Sequence, residues 1–366
     1  MKHLFTLLLV AASAAARAQT ASPSDSTQTA TASPLTFYGN LDAYYGYEFG
    51  NYGSTVRPPF LYSHNRQNEF TVNQALVGVR YDNGIVRGAI GLHAGTYVEA
   101  NYADEELTLR HLYEAYAGFR PFKKAWLDVG IFTSHIGFES AISKENWTLT
   151  RSLMAENSPY YEAGARFTYE VDPKLTLTAV VLNGWQNIRE TNEKKALGTQ
   201  IQWKPTAKLL INSSTFFGVE GPTGAPQYHR YFHNFYLTYA LTSRLSVAGV
   251  FDVGKQATAV YGKFDTWHTG AAFLRYQLAD KWFSTARAEY YVAERGVIIN
   301  NDIPFFGSPN FRAGGGSVNL DYAPATNVLL RLEGRYLRGQ DAEFRQVGDP
   351  AASNYGNLTS SIAISF

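Results

Sequence analysis

The chain has 366 residues, a formal net charge of +1 and no cysteine. Near-neutrality removes the electrostatic case for nucleic acid, and the lack of cysteine excludes a disulfide-stapled scaffold. Mean hydropathy of −0.23 reads as soluble, yet a transmembrane barrel gives the same value because lipid-facing and water-facing residues alternate and cancel.

Residues 1–18 have the order of a secretory signal: Lys2 and His3, an apolar run over 4–10, then small residues ending in Ala16-Arg17-Ala18, an A-x-A cleavage site. Residues 19–34 are Ser, Thr, Ala, Pro and single polar residues, and read as a flexible periplasmic tether. No later apolar run reaches the ~18 residues of a helical membrane span.

From residue 35 onward one unit recurs: an alternating segment, a short turn, another alternating segment, a longer polar loop. The first strand, 36–48, puts Phe37, Gly39, Leu41, Ala43, Tyr45 and Tyr47 on one face, and Tyr38, Asn40, Asp42 and Tyr44 on the other. Segments 69–82 and 85–98 are joined at Asp82-Asn83-Gly84, a strong hairpin signal. Further tight turns are expected at 120–124, 172–174, 204–206, 242–244, 279–281 and 324–327. Long connections fall between them, at 50–67, 101–106, 137–158, 189–195, 220–230, 256–265, 294–311 and 339–354. Seven tight turns and eight long loops join sixteen strands. The final segment alternates Leu358, Ser360, Ile362, Ile364 and Phe366 against Asn357, Thr359, Ser361, Ala363 and Ser365. Closing on Phe366, it resembles the last strand of bacterial outer-membrane barrels, the end read by the barrel assembly machinery.

The expected fold is therefore all-β: a transmembrane antiparallel up-and-down β-barrel of about sixteen strands over 35–366, with periplasmic termini. Lipid offers no hydrogen bonds to backbone, so a spanning sheet must close. Aromatics make up 15% of the residues, and Phe37, Tyr81, Phe119, Tyr169, Trp203, Tyr239, Trp282 and Tyr322 cluster beside the short turns as an interfacial girdle. A soluble sandwich also alternates, but it needs no aromatic ends in register with its turns.

Charges set the inside, because they face lipid only at high cost. The expected pore-lining set is Asp42, Arg80, Arg87, Glu114, Asp128, Arg166, Asp252, Arg275, Arg287, Glu289, Arg331, Glu333 and Arg335. A barrel of this width is too wide for wall side chains to fill, so the polar interior implies water. The two signs are similar in number, which predicts weak ion selectivity. The third long loop, 137–158, is expected to narrow the pore, with Glu139, Lys144, Glu145, Arg151 and Glu156 facing the channel and Trp147, Leu149, Leu153 and Met154 pinning it to the wall. A cap packed over the mouth is the alternative.

Several short motifs resemble the β-barrel porin-2 family, common in Bacteroidetes: Leu127-Asp-Val-Gly-Ile-Phe, His135-Ile-Gly-Phe-Glu-Ser140, Asn157-Ser-Pro-Tyr-Tyr-Glu-Ala-Gly164 and Asn183-Gly-Trp-Gln186. The resemblance implies an outer-membrane pore, without catalytic residues or a defined substrate.

The chain is not read as an enzyme, and no cofactor is expected. Ser134, His135 and Glu139 supply hydrolase residue types, but adjacent strand residues point to opposite faces, and there is no G-x-S-x-G elbow. His229 and His233 have helix-like metal spacing but fall at a loop–strand junction without a third ligand, so no metal is expected. The primary reading is a passive porin for small hydrophilic solutes, embedded in outer-membrane lipid. The runner-up is a non-conducting structural or adhesive barrel acting through its external loops. Trimers are common among sixteen-stranded porins, but no interface pattern here decides the oligomeric state.

Overall fold

The computed structural model describes residues 33–50, 52–299, 310–344, 346–349 and 352–366. The expected signal, 1–18, and nearly all of the tether, 19–34, lie outside the described residues.

Sixteen strands run in chain order: β1 (Leu35–Glu48), β2 (Phe70–Asp82), β3 (Val86–Ala94), β4 (Leu112–Phe119), β5 (Ala125–Thr133), β6 (Tyr161–Asp172), β7 (Leu175–Leu182), β8 (Ala196–Thr206), β9 (Leu209–Glu220), β10 (Tyr228–Ala240), β11 (Leu245–Ala257), β12 (Phe264–Ala279), β13 (Trp282–Ala293), β14 (Phe311–Ala325), β15 (Val328–Gly339) and β16 (Asn354–Ser365). Each pairs antiparallel with its chain neighbours, and β1 pairs with β16 from Asn40↔Ser365 to Glu48↔Asn357, closing the barrel. The ring of strands closes and leaves no edge strand, as lipid demands.

The period of two sorts each strand. In β15, Leu330, Leu332 and Tyr336 are exposed outward, while Arg331, Glu333, Arg335 and Leu337 are buried inside. Phe37, Tyr81, Phe119, Trp203, Tyr239 and Trp282 are exposed at the short-turn end, and Trp282 stacks on Tyr322 with ring centroids 4.5 Å apart. That is the girdle expected of an interface.

The β1–β16 seam has its own packing. Gly39 N donates to the Phe366 carbonyl at 2.8 Å, and Phe366 N donates back to Gly39 O at 3.1 Å. The Phe366 ring lies over Gly39, where a Cβ would sit 2.3 Å from two ring carbons. Gly39→Val is therefore expected to push the ring off the seam and cost about 1–3 kcal/mol by overpacking. A lower denaturation midpoint of the refolded barrel would register this; an unchanged midpoint would mean that the ring leaves without cost.

Three expectations are corrected. The third strand ends at Ala94, not Val98: Gly95 takes φ +130, and a helix α1 (Thr96–Asn101) follows. Tyr97 and Val98 alternate as a strand would, but they turn inward as a helix and join a buried cluster with Tyr102, Tyr160 and Tyr161. The second long connection is accordingly 95–111 rather than 101–106. At Lys204-Pro205, β8 continues to Thr206 through a register shift, so the turn itself is Ala207-Lys208; the bulge accommodates proline's missing N–H.

Candidate functional site

The connection from β5 to β6, residues 134–160, does not cap the mouth. It enters the barrel and reaches the short-turn end, where Lys144 Nζ donates to the Thr326 carbonyl at 3.1 Å and to Ser365 Oγ at 2.5 Å. Its middle is fastened to the opposite wall. Backbone N–H groups of Leu149, Thr150 and Leu153 donate to Asn319 (3.1 Å), Glu333 (2.6 Å) and Glu289 (2.7 Å). A single turn of helix, α2 (Leu153–Glu156), follows, capped by Ser152 Oγ accepting from Ala155 N at 3.2 Å. The apolar residues act as pins. Leu153 enters a cluster with Phe60, Phe132, Phe216 and Phe311, while Met154 and Trp147 pack with Phe138, Tyr236 and Phe273.

The wall charges of β13 and β15 serve this loop. Arg287 donates to Thr150 O (2.6 Å), to Thr148 Oγ1 (3.0 Å) and to Glu333 (2.9 Å). Its guanidinium also lies 3.2 Å from Glu289 and 3.9 Å from Glu139. Arg335 holds Glu289 by a fork at 2.8 and 2.9 Å. Arg331 bridges Asp321 (2.8 Å) and the loop carbonyls of Ser143 (2.7 Å) and Asn146 (3.0 Å). On the other wall Asp128 takes Arg87 at 2.6 Å and Arg166 at 3.0 Å, and Glu114 takes Arg80 at 2.9 Å and Tyr38. Asp42 accepts from Asn73 at 3.0 Å and meets His64 Nε2 at 2.8 Å, fixing the first long loop. Asp252 accepts from Asn234 at 2.5 Å and from Ser158 of the third loop at 3.1 Å.

The expectation of a wall of water-facing charges is thereby revised. Asp42, Glu114, Asp128, Asp252, Arg287, Glu289, Arg331, Glu333 and Arg335 point inward but are buried: Glu114 and Asp128 under neighbouring wall side chains, the others where the first and third loops fill space that wall side chains cannot. Arg80, Arg87, Arg166 and Arg275 keep part of their surface free. Arg275 lies over the Phe283 ring at 4.8 Å.

The loop charges divide similarly. Arg151 is fully buried and faces no channel; its guanidinium is caged between the Tyr97 and Tyr160 rings at 4.6 and 4.8 Å and donates to the Ser140 and Ala141 carbonyls. Glu139 is buried too, which pushes its carboxyl above the ordinary range, against the opposing pull of Arg287 and of hydrogen bonds from Ser152. Glu156 accepts from the Tyr62 and Ser63 backbone at 3.0 and 3.1 Å, tying the third loop to the first. Lys144 and Glu145 keep exposed surface.

Two polar cavities stand out among the described residues. One, of about 590 Å³, opens among the long loops and is bordered by Arg66, Glu99, Asp104, Glu156, Trp185 and Arg230. The other, of about 650 Å³, lies at the short-turn end and is bordered by Asn40, Arg80, Glu139, Lys144, Glu145 and Tyr160. They share no bordering residue; Glu156, Asn157 and Ser158 border the first, and Pro159 and Tyr160 the second.

Sequence reasoning missed the cage of Tyr97 and Tyr160 and the anchors Asn319 and Asn234. A signal was present: the short motifs converge on this loop. Tyr160 N donates to Gln186 of the Asn183–Gln186 motif at 2.7 Å, and Glu162 binds Ser134 Oγ (2.7 Å) and His135 Nδ1 (2.8 Å). The ring's other nitrogen meets the Thr215 carbonyl at 2.9 Å, so both ring nitrogens face acceptor oxygens. The histidines His229 and His233 lie within β10, about 13 Å apart along an extended chain.

A family model described as "Putative beta-barrel porin-2, OmpL-like" (BBP2) matches residues 34–366. The chain belongs to the BBP2 family. This BBP2 porin is an outer-membrane channel protein, and the motifs that resembled the family surround its third loop. No curated protein matches it in sequence. Among solved structures it is similar to the outer-membrane channel DcaP of Acinetobacter baumannii (10% identity, 91% of this chain and 97% of that one, TM-score 0.61). It is also similar to the trimer form of OmpT from Vibrio cholerae (10%, 91% and 99%, TM-score 0.61) and to an anion-selective porin from Comamonas acidovorans (8%, 91% and 99%, TM-score 0.59). At such identities the likeness concerns the barrel fold alone.

Proposed function

We propose that this porin passes small hydrophilic solutes by passive diffusion, with weak ion selectivity, through a throat set by its third loop. The observation that carries the reading is that loop's course: it crosses the lumen, is fastened to β13–β15, and leaves a polar cavity on either side. Opposite charges border both cavities, so neither sign of ion is strongly excluded. A homotrimer, the form in which the structurally similar OmpT of Vibrio cholerae was solved, is the assembly we propose. The barrel is proposed to lack hydrolytic activity: Ser134 Oγ donates to the Glu162 carboxylate and not to the His135 imidazole, so the Ser–His pair of a hydrolase is not formed.

Planar-bilayer recording on the refolded protein tests the reading. Discrete steps well below those of an unobstructed sixteen-stranded lumen are expected, with reversal potentials near zero in a salt gradient. A correctly folded, silent barrel would instead favour the non-conducting adhesive reading.

A further inference from the structure

The outer surface of β10–β15 carries charges that the barrel itself does not neutralise. At the long-loop end Lys255 of β11, Arg312 of β14 and Arg338 of β15 have the outward phase and are exposed. Among the described residues none of the three has an ion-pair partner. Arg312 donates to the Gln340 side-chain carbonyl at 3.0 Å, and Lys255 lies over the Tyr231 and Phe264 rings at 5.2 and 4.6 Å. Nearby carboxylates are engaged elsewhere. Glu294 accepts from Thr266 N and Oγ1 at 2.8 and 2.9 Å, and Asp265 pairs with Arg295. Glu343 is buried and accepts from the backbone of Arg312 and Asp341 at 3.2 and 2.8 Å. Tyr290 and Tyr336 are exposed on the same face, the aromatic belt that marks a membrane interface. At that level the groups available to an outward cation are lipid headgroups, whose phosphates suit a guanidinium.

Toward the midplane the same face is hollow. Strand register puts Arg338, Gly314, Tyr290, Gly270 and Phe251 in one row, and Gly316, Ala288, Ala272 and Gly249 in the next. The result is an apolar trough of about 520 Å³, bordered by Gly249, Gly270, Ala272 and Ala288 and flanked by Phe251 and Tyr290. A side chain on Gly249 would meet nothing within 4 Å. Arg312 lies two residues beyond the partner of Arg338 on the adjacent strand, a diagonal pair from which long side chains reach one group together. Cations above and an apolar trough below match an acyl chain under a phosphate; a soluble anion would leave the trough empty.

We propose that this face binds a phosphate-bearing, acylated lipid of the outer leaflet, with Arg312 and Arg338 on the phosphate and an acyl chain in the trough. The inference goes beyond the porin reading and does not depend on conduction.

Native mass spectrometry of the folded barrel in neutral detergent, titrated with diphosphorylated lipid A, tests it. A saturable adduct is expected, weakened about fivefold by Arg312→Gln and again by Arg338→Gln, the factor one cation supplies at a headgroup surface. Enzymatic removal of the probe's phosphates should weaken binding at least as much. Ala288→Trp fills the trough, leaves every charge in place and should weaken binding too. The two arginines have no carboxylate partner to strand, so glutamine there keeps the fold, and heat-modifiable gel migration checks all variants. Their bilayer conductance is expected to be unchanged, so this proposal and the porin reading fail separately. Equal affinity for the dephosphorylated probe, or affinity unchanged in both arginine variants, would overturn the proposal. So would loss of oligomers in Ala288→Trp with lipid affinity intact, which would make this face a contact between copies of the chain.

Discussion

Arg287→Ala porin is expected to conduct several-fold more current than the unaltered protein and to lose about 3–5 kcal/mol of stability, the usual cost of breaking a buried ion pair from one side. The guanidinium sits among three carboxylates, Glu139, Glu289 and Glu333. Without it Glu289 still has Arg335 at 2.8 Å, but Glu333 and Glu139 lose their cation. The loop also loses its ties at Thr148 and Thr150. Buried carboxylates so stranded either take up protons or draw water in. Water entering there separates loop from wall, and the throat widens.

Two further variants apportion the effect. Arg287→Lys keeps a charge but not the planar fork that reaches Thr148, Thr150 and Glu333 together, so an intermediate conductance is expected. Glu333→Gln leaves a carbonyl oxygen for Thr150 N–H and removes only the charge, so it should open the pore less. Single-channel recording, with chemical denaturation for stability, reads all three. Normal folding with unchanged conductance in Arg287→Ala would show that this loop is not the throat.

Much of this architecture is legible before any coordinates. The turns at 242–244 and 279–281, the outward faces of β15 and β16, and the girdle from Phe37 to Tyr322 follow from a period of two and from turn chemistry, both local signals. Helix α1 is not legible, because Thr96 to Val98 continue the alternation of β3 and only packing against Tyr102 and Tyr160 decides otherwise. The site is half legible. Inward phase is local, so Arg287 and Glu333 can be placed inside. Whether they meet water or protein depends on Thr150, 137 residues from Arg287, and no periodicity encodes that pairing. Arg151 illustrates the limit: a charged loop residue reads as channel-facing until two tyrosines from different segments enclose it.

The membrane itself is tested by a charge placed outside the barrel. Val129, at the middle of β5, and Ile85, in the turn between β2 and β3, are both exposed, at 57% and 70%. On a soluble sandwich, arginine would cost little at either position, since both would face water. In a bilayer the two differ in depth. Val129→Arg puts a guanidinium opposite hydrocarbon and is expected to destabilise the barrel by about 2–4 kcal/mol, while Ile85→Arg, at the headgroup level, costs about 0–1 kcal/mol. Reversible unfolding in lipid vesicles measures both. The contrast should shrink in detergent, whose thin, deformable shell lets water reach the side chain. Equal, small costs in vesicles would mean that β5 does not cross hydrocarbon, and the assignment of inside and outside faces would fail with it. A large cost at Val129 alone fixes the lipid-facing side of β5, and by the period of two it places Asp128, with its partners Arg87 and Arg166, on the lumen side.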